Sequence, residues 1–303
     1  SAASEAFVRF VAAWCKVKNE LANGTVFDTS ESVLPLPHQR YALERAMASS
    51  EVRYMLADEV GLGKTIEAGL IIKELKTRGI IERVLVVCPK GLVTQWEAEM
   101  FEKFGERFTI VSPEDYATLK KINHDQNVFT QFPLVISPMD AIKPLEQRNG
   151  WTQERIDQYN DDRIEAVVAG GWDLIIIDEA HRVAGSTGEV ARHKLGDMLS
   201  KASPHLLLLT ATPHSGKTEP FLRLMQLLDS DAFPNPKAVV KEQVTPYIIR
   251  TEKREAVDNE GKPLFKERHT HLVKVEWQER HSMQQELYEQ VTEYVRTGYN
   301  KAL

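Results

Sequence analysis

Apolar runs without polar alternation recur along this chain: Val52 to Ala57, Arg83 to Cys88 (RVLVVC), Phe108 to Val111, Leu134 to Ser137, Leu174 to Asp178 (LIIID) and Leu206 to Thr210 (LLLLT). A strand with one wet face alternates apolar and polar residues, whereas an unbroken run has both faces covered. Between the runs lie segments with helical periodicity: Leu36-Pro37 to about Ser50, Lys64 to Arg78, Gly91 to Phe104, Thr152 to Ala169, 188–201 and 217–228. Proline suits the first turn of the first of these, and Gly79 closes the second. Strand and helix in alternation predict an α/β fold, a parallel sheet with helices on both faces. Such sheets bind ligands beyond the carboxyl ends of their strands. The residues that follow the runs are therefore the candidates for chemistry.

Composition narrows the classes. The 303 residues are 42% hydrophobic and 27% charged, ordinary globular values that exclude a disordered tail, a collagen-like chain and a coiled-coil rod. A formal net charge of −6 excludes a uniformly basic domain, so any nucleic-acid contact falls to a local surface. Cys15 and Cys88 make neither a disulfide framework nor a zinc site and fit a reducing, cytoplasmic setting. No apolar run approaches the ~18 residues of a membrane span. The N-terminus shows no basic-then-apolar leader, so no membrane partner is expected.

Phe7, Phe10, Val11, Trp14, Val17 and Leu21 recur at helical spacing and predict an N-terminal helix that, with its connector, fills residues 1–33. The main domain spans 34–250. Residues 251–268 are rich in charge, with Gly261 and Pro263 as turn formers, and read as a linker. His271 to Trp277 alternates like a strand and Met283 to Tyr294 like a helix. Residues 269–303 thus read as the start of a further, truncated domain.

Asp58-Glu59-Val60-Gly61-Leu62-Gly63-Lys64-Thr65 follows one strand and opens one helix, the context that a phosphate-binding loop requires. Gly61 and Gly63 let the backbone curl until its N–H groups face an anion, and the helix N-terminus adds its dipole. Lys64 is placed to reach β- and γ-phosphates, and the Thr65 hydroxyl to ligate Mg²⁺. The pattern GxxxxGK[ST] is not met in full, because Asp58 stands at the first glycine. Asp178-Glu179-Ala180-His181 ends another run; Asp178 suits a Mg²⁺ ion, and Glu179 suits orienting and deprotonating an attacking water. Thr210-Ala211-Thr212 ends the next, with hydroxyls that can sense a nucleotide site and touch a bound polymer. Trp96 reads as a packing anchor rather than a stacking platform, Cys88 as a buried strand residue, and the acidic run 154–165 as a solvated helix face. His269 and His271 lack a third metal ligand nearby.

A glutamine motif, a phosphate loop, DEAH and TAT in this order resemble the superfamily-two helicases and translocases. DExGLGKT resembles the phosphate loop of the Swi/Snf-type DNA-dependent ATPases, where an acid takes the first glycine's place. Cys88-Pro89-Lys90 followed by Gln95-Trp96-Glu97-Ala98-Glu99 is similar to their next motif. Leu36-Pro37-His38-Gln39 and the stretch from Ala57 to Gly69 are most similar to the distant bacterial branch that includes the RNA-polymerase-recycling ATPase. The resemblance covers residues 34–303. It implies a RecA-like P-loop domain, the first of two lobes, with ATP and Mg²⁺ as cofactors. Gln39 would read adenine; Gly61, Leu62, Gly63, Lys64 and Thr65 would hold the phosphates; Thr65 and Asp178 would hold the metal. Lys90, Gln95 and Ser137 match positions along a strand-binding face, and Arg182, Thr210 and Thr212 join them as nucleic-acid candidates. Arg250-Thr251 resembles the family's paired-arginine segment, with Ile249 where the first arginine would stand. Leu272 to Tyr288 resembles the opening of the second RecA-like lobe. The QxxGRxxR motif of that lobe, which supplies an arginine finger, does not occur in these residues.

The expected function is the ATP-binding lobe of a DNA-dependent ATPase that translocates on double-stranded DNA. Its expected partners are duplex DNA, with RNA or RNA polymerase as alternatives, and the second lobe of the same parent chain. Two other readings stay open: a DEAH-type helicase that unwinds RNA or DNA strands, and a lobe that binds without hydrolysing. By itself this portion is expected to be nearly inactive.

Overall fold

The computed structural model describes residues 33–122, 127–142, 145, 147, 149–184, 190–212, 218–266, 269, 271 and 281–301. The expected N-terminal helix and the expected strand beyond His271 lie outside the described residues. The chain divides into two compact units, Ser1–Phe265 and Lys266–Leu303.

Among the described residues of the first unit are seven strands: β1 (Arg53–Leu56), β2 (Val84–Cys88), β3 (Thr109–Ile110), β4 (Leu134–Pro138), β5 (Leu174–Asp178), β6 (His205–Leu209) and β7 (Ile248–Ile249). They form one sheet in the order β3-β4-β2-β5-β6-β1-β7, and every neighbouring pair is parallel. The longer helices are α1 (Pro37–Met47), α2 (Lys64–Thr77), α3 (Val93–Phe104), α4 (Pro113–Ile122), α5 (Gln153–Val168), α6 (Val190–Lys201) and α7 (Thr218–Leu228).

Side chains alternate across a strand, so the central strands feed two cores. Leu56, Val84, Val86, Ile176, Leu207 and Leu209 join Leu43 of α1, Leu70 and Ile71 of α2, and Trp96 and Met100 of α3 on one face. Met55, Leu85, Val87, Ile177 and Leu208 join Val167 of α5, Leu199 of α6, and Phe221 and Met225 of α7 on the other. The unbroken apolar runs thus have the physical cause that the sequence implied: no strand face in the centre of the sheet meets water. Each fully buried leucine, isoleucine or valine contributes roughly 1.5–3 kcal/mol.

Helices α2 and α3 pack closely at Gly69. A Cβ added at Gly69 would overlap the ring of buried Phe104. Gly69→Val is therefore expected to destabilise the unit by about 1–3 kcal/mol through overpacking, despite its neutral chemistry. Urea unfolding checks this, with a lowered midpoint and an unchanged slope.

Two elements depart from the sequence reading. Helix α4 has no apolar stripe long enough to announce it, yet it carries a capping box. Ser112 N donates to Asp115 Oδ2 at 3.0 Å, and Asp115 N donates to Ser112 Oγ at 3.2 Å. Strand β7 is only two residues long and pairs with β1 at Met55 and Leu56. Beyond it, residues 251–265, expected as linker, lie within the first unit and hydrogen-bond to the loop after β1. The second unit contains helix α8 (Ser282–Lys301), with Met283, Leu287, Tyr288, Val291, Tyr294 and Val295 exposed. No helix among the described residues is long and apolar enough to cross a membrane.

Candidate active site

Sheet order brings the motifs together. Strand β6 lies between β1 and β5, and Leu209 is in register with both Leu56 and Asp178. The loop after β1, the acids ending β5 and the threonines after β6 therefore meet at one edge.

The loop after β1 owes its shape to its glycines. Gly61 and Gly63 have φ of 89° and 87°, a region that L side chains rarely adopt. At Gly63 a Cβ would also come within 2.8 Å of Gln39 Nε2. Helix α1 clamps the loop: Gln39 Nε2 and His38 Nε2 both donate to the Leu62 carbonyl, at 3.1 and 2.9 Å. Gln39 Oε1 accepts the Leu36 N–H at 3.1 Å. Lys64 Nζ folds back onto the Asp58 carbonyl at 2.9 Å. Lys64 and Thr65, both half-buried, open α2.

Beneath the loop is a buried cluster that the sequence reading did not identify. Asp58 and Glu67 are both fully buried, and one ligand atom from each lies with one from His38 within 4.8 Å of one another. Asp58 Oδ1 accepts the Thr251 N–H at 2.6 Å. Asp58 Oδ2, both Glu67 oxygens and His38 Nδ1 have no hydrogen-bond partner among the described residues. Burial, then the neighbouring Asp58, push the Glu67 carboxyl well above its ordinary range, and burial raises Asp58 too. One proton held between the two carboxyl groups would leave the pair with a single negative charge facing the Thr251 N–H, an arrangement that needs no cation. The signals in the sequence were an acid at a glycine position and a second acid nine residues on, at one turn into α2.

Asp178 ends β5 with 8% of its surface exposed. Its Oδ1 accepts the Glu179 N–H at 2.8 Å, and its Oδ2 accepts Trp96 Nε1–H at 2.9 Å. Burial raises the Asp178 pKa, against the pull of those two donors. Burial, with Asp178 adding to it, also pushes the Cys88 thiol up to about 12, which keeps it unreactive. Glu179 is the one non-glycine among the described residues with positive φ, at 49°. Such a conformation costs about 1–3 kcal/mol and concentrates at functional sites. It sets Glu179 Oε2 at 3.2 Å from His181 Nδ1, and the same nitrogen lies 3.3 Å from Thr210 Oγ1. Thr210 Oγ1 also accepts the Thr212 N–H at 3.2 Å. Glu179, His181 and Thr210 thus link two of the three motifs.

The nucleic-acid candidates separate by exposure. Lys90 begins a single turn after β2 and is exposed, as are Gln95, Arg182 and Thr212. Gln95 Nε2 donates to Glu99 Oε1 at 2.8 Å. Ser137 is fully buried in β4, and its hydroxyl donates to the Val111 carbonyl at 3.0 Å, so it stands apart from the exposed candidates. Thr210 is 1% exposed and turned to His181, a position suited to sensing the acids. Trp96 is 1% exposed, an anchor as expected, and it also donates to Asp178, a bond that no local sequence signal marks.

Residues 38–296 match the SNF2-related domain. The RNA polymerase-associated protein RapA of Actinobacillus pleuropneumoniae serotype 5b (strain L20) is 35% identical over 214 residues, covering 69% of this chain and 20% of that protein. RapA of Yersinia pestis (strain Pestoides F) is 36% identical over 210 residues, with the same coverage of 69% and 20%. The chain thus spans about a fifth of the length of these curated relatives. The SWI2/SNF2 ATPase core of Sulfolobus solfataricus, solved in complex with dsDNA, superposes with a TM-score of 0.56 at 19% identity, over 75% of this chain and 47% of that one. That likeness concerns the fold, a parallel sheet of RecA type. With the family matched across most of its length and the sheet matched in three dimensions, this chain belongs to the SNF2-related family of helicase-type ATPases.

Proposed function

We propose that the chain is the ATP-binding lobe of a DNA-dependent ATPase that translocates along double-stranded DNA. The observation that carries the reading is the meeting of the phosphate loop, Asp178-Glu179 and Thr210 at the ends of three adjacent strands. In this reading Gly61, Leu62 and Gly63 present N–H groups to the phosphates, and Lys64 leaves the Asp58 carbonyl to meet them. Gln39 faces adenine with the amide hydrogen and lone pair that Leu62 and Leu36 leave unused. A hydroxyl and a carboxylate, Thr65 and Asp178, fit Mg²⁺, a hard cation that takes few protein ligands and keeps its waters. Bound there, Mg²⁺ would neutralise charge on the phosphates. Glu179 accepts the proton of the attacking water, and His181 ties its position to Thr210.

Lys90, Gln95, Arg182 and Thr212 form the surface for duplex DNA, contacted through phosphates and hence with low sequence preference. A second RecA-like lobe of the parent chain closes on the nucleotide and supplies an arginine, worth roughly 10³–10⁵ in rate. RapA is named for its association with RNA polymerase, so the polymerase is a candidate partner of this cytoplasmic motor.

Two assays on the parent protein test the reading. ATP turnover should rise on adding duplex DNA, and a third strand should be displaced from a triplex. Separation of an ordinary duplex, or stimulation by RNA alone, would favour the unwinding helicase instead. The chain without a second lobe should turn over ATP below ~1 s⁻¹, the low end for enzymes. Lys90→Glu should weaken DNA binding and reduce its log–log salt slope by about one unit. Nucleotide affinity without DNA should be unchanged; an unchanged salt slope would remove Lys90 from the DNA surface.

A further inference from the structure

We propose that Trp96 is the positioning residue for the metal-binding carboxylate of Asp178; the proposal rests on the ATP-hydrolase reading above. Trp96 stands in α3 and is buried to 1% exposure in the core between α2, α3 and the sheet. For packing alone, phenylalanine or leucine would serve. Tryptophan is seldom fully buried, because its N–H must find an acceptor there. The acceptor is Asp178 Oδ2, at 2.9 Å and 82 residues away along the chain. The other oxygen, Oδ1, accepts the Glu179 N–H at 2.8 Å.

One donor on each oxygen fixes the carboxylate plane, since rotation breaks a bond. The lone pairs left over are then presented in a single orientation, before any cation arrives. The two donors differ in kind. The Glu179 N–H belongs to the loop that carries the chemistry. The indole belongs to a helix locked by buried Val93, Met100 and Phe104. Trp96 therefore refers the position of Asp178 to the core of the unit rather than to its own loop. Such outer donors to metal-ligating carboxylates typically govern metal affinity by 10–100-fold.

The test is ATP binding by calorimetry across a Mg²⁺ series, with Trp96→Phe, Asp178→Asn and the double variant. Trp96→Phe keeps an aromatic ring and loses the N–H. The Mg²⁺ concentration for half-maximal binding should rise about 10-fold. ATP binding in EDTA should stay at the parental level, which a general packing defect would not allow. In the Asp178→Asn background, Trp96→Phe should add nothing to the Mg²⁺ requirement. If Asp178→Asn shifts that requirement and Trp96→Phe does not, the positioning role is overturned and the metal assignment stands. If Asp178→Asn shifts nothing, the metal assignment itself fails. Should Trp96→Phe not fold, the indole N–H resonance of the parent decides. It should move on Asp178→Asn, and a resonance that stays in place overturns the proposal.

Discussion

Glu179→Gln is expected to slow ATP hydrolysis about 10³-fold, within the roughly 10²–10⁴ that a general base contributes. ATP affinity should be retained. The substitution keeps the shape of the side chain and removes its capacity to take a proton. It leaves the Asp178 bonds to Trp96 and to the backbone N–H of residue 179 in place. The backbone cost of φ 49° is the same for glutamine as for glutamate, so the loop should not relax. Lys64→Ala should do the opposite. It removes the one cation that opens α2, and with it a charged hydrogen bond to phosphate worth about 1.5–3 kcal/mol, or roughly 10- to 150-fold in affinity. Single-turnover hydrolysis and calorimetric binding, measured on both variants, separate the two roles. Loss of binding in Glu179→Gln, or full hydrolysis, would remove Glu179 from the water-activating position. Parental affinity in Lys64→Ala would overturn the phosphate loop.

How far the fold could be read depended on whether a signal was local. The runs LIIID and LLLLT could be read as central strands because burial on both faces leaves no polar alternation. The turn from β1 into α2 could be read because its glycines, lysine and threonine lie within five residues. Helix α4 was missed because its apolar content is thin, although the Ser112–Asp115 capping box marks its start. Ser137 was placed on a strand-binding face by its match to a motif. A motif gives a position along a strand and says nothing of which face a small hydroxyl takes. Here it turns inward to Val111. The bond from Trp96 to Asp178 and the contact of Asp58 with Thr251, 193 residues away, exist only after the sheet has formed. No spacing rule could have found them.

The cluster under the loop after β1 predicts a contrast between two substitutions of one residue. Glu67→Ala should destabilise the unit by about 3 kcal/mol, the sum of a lost buried hydrogen bond and a cavity. That corresponds to a melting temperature lowered by roughly 6–12 °C. Glu67→Gln should not, because its amide N–H can donate to Asp58 as the shared proton does. The pH dependence gives the sign. Glu67 holds its proton in the folded chain well above its ordinary value of 4.5, and loses it near that value when unfolded. Within that window the folded state binds the extra proton, so stability falls as pH rises from about 4.5 towards the folded value. Glutamine carries no proton to lose. Glu67→Gln should therefore melt close to the parent at pH 5 and above it at pH 8, without nucleotide or Mg²⁺ present. If glutamine and alanine are equally damaging at both pH values, the shared proton is the wrong account of the cluster. A parental melting temperature raised by an added divalent cation, with no such rise in Glu67→Ala, would then show that His38, Asp58 and Glu67 hold a metal instead.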